Sequence, residues 1–150
     1  MKYMRLLIIN FVVVFFMGAS TYTLAQDVKL SIIGNMESVA DEMDMDQLKL
    51  ALRGEKQRWD DGTSIKIALM KTSTPVGKRT CEKIYDMSGN ELNKYFLALV
   101  FQGKVKAPSF FNSISELESY VSSTPGAIGV SQSSAESINK IIIIDGNKAL

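Results

Sequence analysis

The sequence predicts an α/β domain in which a central mixed sheet is flanked by helices. Strand-like and helix-like segments alternate along most of the chain, as is typical of layered α/β domains. Helix-capping sequences precede apolar segments of helical spacing, and glycine or proline follows them. Residues 141–144 form a continuous apolar run, which favours a strand buried on both faces. No internal repeat or long linker divides the chain, so we expect one domain.

The first half of the domain is predicted to contain a strand, a helix and a second strand. Apolar and polar residues alternate over residues 28–32, which is the pattern of a strand. Asp44 and Gln47 have the spacing of a capping box, so a helix should begin there. Gly54 can adopt the left-handed conformation that ends a helix. After turn-forming residues, alternation over residues 65–69 predicts the second strand.

The second half contributes further helices and strands. Pro75 suits the first turn of a helix. Ser88-Gly89-Asn90 is expected to break that helix. Apolar residues then recur at helical spacing over residues 92–99. Ser113 and Glu116 form another capping-box sequence. A short strand is expected over residues 127–131, after a proline and a glycine that end the preceding helix.

The N-terminal segment has the composition of a secretory signal peptide. Two basic residues precede an apolar run over residues 6–17, and the small residues at 23–25 offer a cleavage site before Gln26. We therefore predict a signal peptide over residues 1–25, a domain over residues 26–150 and a periplasmic location. An uncleaved membrane anchor is the alternative, although a bilayer span needs about 20 apolar residues.

Composition argues against several classes of function. The chain has no histidine and a single cysteine, Cys81, so the usual transition-metal ligands are scarce. Without histidine, and without a visible pairing of nucleophile and base, we expect no enzyme and no cofactor. The 17 basic and 16 acidic residues nearly balance, which disfavours nucleic-acid binding. One thiol cannot form an internal disulfide, so Cys81 should be buried.

Two stretches of the chain carry a family resemblance. The first is Leu52-Arg53-Gly54-Glu55-Lys56-Gln57-Arg58-Trp59-Asp60-Asp61-Gly62. The second is Thr124-Pro125-Gly126-Ala127-Ile128-Gly129-Val130. In order and spacing they resemble the second lobe of the phosphate-binding proteins that serve ABC transporters, the PstS-like periplasmic binding proteins. That family has a helix ending in glycine, a Trp-x-Asp-Gly turn before a strand, and a Pro-Gly-Ala-Ile-Gly turn that returns the chain to the sheet.

The resemblance runs from Val28 to the C-terminus and implies a single lobe of a type 2 periplasmic-binding-protein fold. It implies solute binding without catalysis. A complete receptor of the family closes two lobes over its ligand, whereas this chain has the length of one. One motif position also departs from the family, because Val130 stands where a tyrosine is usual.

The candidate binding segment lies between the second predicted strand and the following helix. Its sequence is Lys71-Thr72-Ser73-Thr74-Pro75-Val76-Gly77-Lys78-Arg79. Helix N-termini attract anions, three consecutive hydroxyls add donors, and the basic residues add positive charge. At this place the family has an arginine followed by a Ser-Gly-Thr loop that grips phosphate. The residues expected to bind the anion here are Lys71, Thr72, Ser73, Thr74 and Arg79. An ordinary capped helix with a solvated basic turn is the alternative.

Two functional hypotheses follow. The first is a periplasmic module that binds phosphate or a similar oxyanion weakly, with an ABC permease or another periplasmic or membrane protein as partner. The second is a protein–protein interaction module that retains the lobe fold without a small ligand. The aromatic pair at Phe110 and Phe111 could mark a partner surface, or it could lie beneath a loop.

Overall fold

The computed structural model of the protein describes residues 28–132 and 139–150. The strands within these residues are β1 (Leu30–Gly34), β2 (Glu42–Met43), β3 (Lys66–Met70), β4 (Ser109–Phe111), β5 (Ala127–Gln132) and β6 (Lys140–Ile144). The α-helices are α1 (Met45–Leu52), α2 (Pro75–Thr80), α3 (Gly89–Phe101) and α4 (Ile114–Ser123). A π-helical turn, Cys81–Tyr85, directly continues α2.

The strands form one mixed sheet in the order β2-β6-β1-β5-β3-β4. Strand β3 runs parallel to both β4 and β5, whereas β1 runs antiparallel to β5 and to β6. The short edge strand β2 pairs with β6 in parallel. The predicted α/β class and mixed sheet are confirmed. The first strand and the apolar run at residues 141–144 are neighbours in this sheet.

The centre of the sheet is covered on both faces, but β6 is not. All five residues of β1 are buried, and successive side chains of a strand point to opposite faces. In β6, Ile142 and Ile144 are buried, whereas Ile141 and Ile143 are only partly covered. The prediction that this run is buried on both faces was therefore wrong. The reason is that helices α2 and α4 pack mainly over β1, β3 and β5, toward the other end of the sheet.

Capping boxes define the starts of three helices. The predicted boxes at Asp44 and at Ser113 are both present, with each side chain accepting a backbone N–H three residues later. A third box opens α3, where Ser88 accepts from the backbone N–H of Glu91 at 3.3 Å. The sequence segment around Ser88 had been interpreted only as a break between helices. In the structure it is both the break and the start of α3.

The two stretches that carry the family resemblance are in direct contact. Trp59 is buried, and its indole Nε1 donates to the carbonyl oxygen of Gly126 at 3.0 Å. The same oxygen accepts from the backbone N–H of Lys66, the first residue of β3, at 3.1 Å. Gly126 has φ of +77°, and a Cβ atom there would lie 2.3 Å from the carbonyl oxygen of Ser64. The two turns thus fit together only because residue 126 has no side chain.

The aromatic pair after Pro108 belongs to the sheet. Phe110 and Phe111 lie in edge strand β4 and are half-buried. The ring of Phe111 packs against that of Tyr120 in α4, with centroids 5.2 Å apart. The pair is therefore part of the interface between sheet and helix rather than an exposed patch.

Cys81 is buried, as predicted. Burial raises the pKa of its thiol above the usual value because the thiolate would lose its hydration. The thiol therefore stays protonated and shielded at neutral pH, which is the behaviour of a structural cysteine.

Candidate anion-binding site

The candidate site lies at the edge of the sheet where the parallel strands end. Strand β3 leads into residues 71–74 and then into α2, and β4 leads into the N-cap of α4 at Ser113. The backbone N–H of Lys71 donates to the carbonyl oxygen of Phe111 at 2.9 Å, so the C-terminal ends of β3 and β4 lie side by side. In open α/β sheets, ligands bind outside the carboxyl ends of the strands.

The turn before α2 is held by Thr74. Its hydroxyl accepts from the backbone N–H of Gly77 at 3.0 Å and donates to the carbonyl oxygen of Lys71 at 2.8 Å. The backbone N–H of Thr74 donates to the same carbonyl at 2.9 Å. The hydroxyl proton of Thr74 is therefore used in a hydrogen bond within the turn. Its contribution is to shape the turn and cap the helix.

Gly77 allows α2 to start directly against the end of β3. A Cβ atom at Gly77 would lie 2.0 Å from the carbonyl oxygen of Lys71 and 3.0 Å from that of Met70. No side chain fits at such distances. The first turn of α2 is thus fixed against the strand exit by a contact that only glycine permits.

A second helix begins beside the same turn. A Cβ atom at Gly89, the first residue of α3, would lie 2.8 Å from Cβ of Thr72. Residues 72–74 therefore lie beside the starts of α2 and α3, and Lys71 is hydrogen-bonded to Phe111, shortly before α4 begins. The positive end of a helix dipole lies at its N-terminus, so helix starts beside this turn favour negative charge there.

The three helix starts differ in how their N–H groups are satisfied. Carboxylates of Glu91 and Glu116 complete the boxes of α3 and α4. Hydrogen bonds from Ser88 lower the pKa of the Glu91 carboxyl, so this group is charged at neutral pH. Helix α2 has only the neutral cap of Thr74. The start of α2 is therefore the one of these three that lacks a carboxylate.

The remaining predicted site residues have different surroundings. Lys71 and Ser73 are exposed, and Thr72 is half-buried beneath the start of α3. No hydrogen bond among the described residues uses the backbone N–H groups of Thr72 or Ser73. Arg79 lies in the last turn of α2, where its guanidinium Nη1 is 3.6 Å from a carboxylate oxygen of Glu82. The structure thus brings residues 71–74 together and shows Arg79 engaged further along the helix.

Comparison with known proteins identifies the fold. No protein-family model matches the chain, and no curated protein matches it in sequence. The solved structures that it resembles include an ABC-type phosphate transport receptor from Vibrio cholerae, with a TM-score of 0.63 and 15% identity over 80% of this chain and 47% of the receptor. The chain has the fold of a receptor lobe.

Two other receptors show the same relation. A phosphate ABC transporter substrate-binding protein from Clostridium perfringens, solved with bound phosphate, has a TM-score of 0.61 and 13% identity, over 79% of this chain and 46% of that one. PstS from Borrelia burgdorferi has a TM-score of 0.60 and 19% identity, over 80% and 48%. The chain therefore spans under half the length of each, and the predicted single-lobe resemblance is confirmed at the level of fold.

These matches bear on function only through the fold. The three neighbours are transport substrate-binding proteins rather than enzymes. Within residues 28–132 and 139–150, no helix is long and apolar enough to cross a bilayer, and no cluster of acidic, cysteine or histidine side chains could hold a metal ion. The predicted signal peptide lies outside the described residues.

Proposed function

We propose that this chain is an exported solute-binding module that holds phosphate or a similar oxyanion at the turn formed by residues 71–74. The observation that carries the proposal is a pair of backbone N–H groups, those of Thr72 and Ser73, which no hydrogen bond among the described residues uses and which lie between β3 and the start of α2. Oriented backbone N–H groups at helix starts are the usual means of holding phosphate. The fold shared with phosphate transport receptors supports the same ligand class.

The side chains at the turn have different roles in the proposed binding. The hydroxyls of Thr72 and Ser73 add two donors to the backbone N–H groups, and Lys71 supplies positive charge. Thr74 keeps the turn in shape through its two internal hydrogen bonds. Arg79 would add charge from α2 by sharing its guanidinium between Glu82 and the anion. We propose that the module acts without catalysis and delivers its ligand to an ABC permease or to another periplasmic or membrane protein.

Affinity should be modest because the turn is open. Lys71 and Ser73 are exposed, so a bound oxyanion keeps part of its hydration and its charge is screened by salt. The two motifs around Trp59 and Gly126 occur in the order found in the second lobe of a receptor, and this order is the basis for comparing the chain with that lobe. A second lobe from another chain would enclose the anion and strengthen binding.

Removing the Ser73 hydroxyl and the Lys71 charge is expected to weaken phosphate binding. The double variant Lys71→Gln/Ser73→Ala leaves the internal hydrogen bonds of Thr74 intact. Isothermal titration calorimetry with phosphate and with sulfate measures the loss, which should be about tenfold or more in Kd because two charge-assisted contacts are removed. The matched control Lys104→Gln/Ser119→Ala makes the same chemical changes at exposed positions outside the turn and should bind like the wild type.

Absence of heat from the wild-type protein at millimolar phosphate and sulfate would contradict the proposal. Equal affinity of both double variants and the wild type would also contradict the assignment of the site. Raising the salt concentration from about 0.05 M to 0.5 M should weaken binding of the wild type, since the contacts are exposed.

Export is expected to remove residues 1–25. The mature protein isolated from the periplasm should begin at Gln26, because the apolar run is short and small residues precede that position. N-terminal sequencing of the fractionated protein tests this. Recovery of a chain beginning at Met1 from the membrane fraction would show instead an uncleaved anchor.

A second candidate function is a protein-interaction module. Its supporting observation is an apolar stripe on α3, where Leu97, Val100 and Phe101 are exposed at helical spacing. Phe101 is 83% exposed and Leu97 is 58% exposed, which is unusual for large apolar side chains lying together. The phosphate titration separates the two candidates, because this function needs no small ligand and predicts no heat.

A further inference from the structure

A second concave site lies at the opposite edge of the sheet from the candidate anion turn. It is a cavity of about 310 Å³ bordered by Lys66 at the start of β3 and by Ser109 at the start of β4. Because β3 and β4 are parallel, their N-terminal ends lie on one side of the sheet and their C-terminal ends on the opposite side. This cavity and residues 71–74 are therefore separate sites.

The walls of the cavity come from two loops. One is the turn between α1 and β3, where an antiparallel bridge joins Arg58 to Ser64 and the backbone N–H of Ile65 donates to the carbonyl oxygen of Gln57. The other is the segment before β4, whose residues 105–107 line the cavity. The side chain of Gln57 donates to the carbonyl oxygen of Lys104, so the two loops are linked. The cavity thus has defined walls.

Four of the residues that line the cavity are basic, and none of the lining residues is acidic. They are Lys56, Arg58, Lys66 and Lys106. Lys56 is paired with Asp60 at 2.8 Å, and Arg58 donates to the carbonyl oxygen of Gly62 at 2.7 Å.

Two of these cations have no carboxylate partner among the described residues. They are Lys66 and Lys106. Lys66 is half-buried, and its backbone N–H is fixed to the carbonyl oxygen of Gly126. Like charges gathered around a concave surface repel one another and raise the local positive potential. An anion that enters the cavity would relieve that repulsion.

Apolar residues also line the cavity. Ala51 and Ile67 are buried, and Ile65, Val105 and Tyr120 are partly buried. Small-molecule sites are typically concave, mostly apolar and about 300 Å³ or larger, with a few polar groups that fix the ligand. This cavity combines apolar and basic lining residues.

We propose that the cavity binds a small organic anion with an apolar body, such as an aromatic or aliphatic carboxylate, sulfonate or phosphate ester. The apolar part rests on Ala51, Ile67 and Tyr120, and the anionic group lies between Lys66 and Lys106. Inorganic phosphate lacks the apolar part and gains little here. The inference does not depend on phosphate binding at residues 71–74.

The test uses two fluorescent probes that share one apolar body. One is 8-anilinonaphthalene-1-sulfonate, and the other is N-phenyl-1-naphthylamine, which lacks the sulfonate. The wild-type protein is expected to bind the sulfonated probe about five- to tenfold more tightly than the neutral one, because two partly exposed cations contribute. The variant Lys66→Gln/Lys106→Gln should lose this preference and keep its affinity for the neutral probe.

Matched variants locate the probe. Lys83→Gln/Lys94→Gln removes the same charge from exposed positions outside the cavity and should leave both affinities unchanged. Leu97→Ser/Phe101→Ser alters the apolar stripe on α3 and should also leave them unchanged. Circular dichroism and thermal unfolding establish that each variant is folded.

Four results would overturn the proposal. The first two are equal affinity of the wild type for the two probes and a sulfonate preference that survives Lys66→Gln/Lys106→Gln. The other two are loss of sulfonate preference in Lys83→Gln/Lys94→Gln and loss of binding in Leu97→Ser/Phe101→Ser. None of these results depends on the outcome of the phosphate titration, so failure of either proposal is distinguishable from failure of the other.

Discussion

Replacing Gly126 with alanine is expected to lower the free energy of unfolding by about 3 kcal/mol or more. Two effects add at this position. An alanine must adopt a left-handed backbone at φ of +77°, and its Cβ would lie 2.3 Å from the carbonyl oxygen of Ser64. Relief of that clash would move the carbonyl oxygen of Gly126, which accepts hydrogen bonds from Trp59 and Lys66. Urea unfolding followed by circular dichroism measures the loss.

The variant Gly62→Ala is the matched control. Gly62 has φ of +87°, yet no atom lies within 4 Å of the position that its Cβ would occupy. It therefore carries the backbone strain without the clash, and we expect a loss of about 1 kcal/mol. The difference between the two variants isolates the contact between the two turns. Equal losses would show that this contact is unimportant.

The second large effect is expected at Gly77, where alanine should destabilise the protein by about 2–4 kcal/mol. In an ordinary helix interior the same change stabilises by about 0.5–1 kcal/mol, so the expected sign is reversed. The reason is the carbonyl oxygen of Lys71, which would lie 2.0 Å from the new Cβ. Because that carbonyl accepts both hydrogen bonds from Thr74, the variant should also lose phosphate binding.

Gly89→Ala is the comparison for this prediction. The nearest atom to a Cβ at Gly89 is Cβ of Thr72 at 2.8 Å, a less severe approach than the 2.0 Å at Gly77. Cβ of Thr72 moves only with its own backbone, so a smaller loss of about 1–2 kcal/mol is expected. Thermal and urea unfolding of both variants test whether Gly77→Ala loses more stability than Gly89→Ala. A Gly77→Ala protein more stable than the wild type would contradict the contact described here.

Most helices were predictable because their start signals are local. The capping boxes at Asp44 and Ser113 depend on residues three apart, and the start of α2 depends on the sequence from Thr74 to Pro75. The start of α3 was readable in the same way, since Ser88 and Glu91 have capping-box spacing. It was missed because the neighbouring glycine suggested only a break.

The short strands could not be predicted from local sequence. Strand β2 has two residues and β4 has three, and each exists because a longer strand offers it free hydrogen-bonding groups. The partial exposure of Ile141 and Ile143 could not be predicted locally either, since it depends on α2 and α4 packing mainly over β1, β3 and β5. An apolar run identifies a strand, but the elements that pack over the strand come from distant parts of the chain.

The position of the candidate turn in the chain was predicted from the sequence, but its hydrogen bonds and its contact with α3 were not. Sequence placed the hydroxyl-rich segment before α2, and it could not show that Thr74 would use its hydroxyl inside the turn. It also could not show that α3 begins against Thr72, because that contact joins residues far apart in the chain. The roles of Lys71, Thr72, Ser73, Thr74 and Arg79 in binding an anion stay predictions until the titration is done.

The two edge strands have a consequence for how the protein behaves in crowded solutions. A sheet can recruit a strand from another molecule wherever a long edge presents unpaired N–H and C=O groups, and this is a common start of aggregation. Among the described residues, the sheet ends in strands of two and three residues, which pair with only part of the longer strands beside them. A foreign strand would therefore find only a few groups in register at either edge. The arrangement limits edge-to-edge growth while leaving the loops at both ends of the sheet open to ligands.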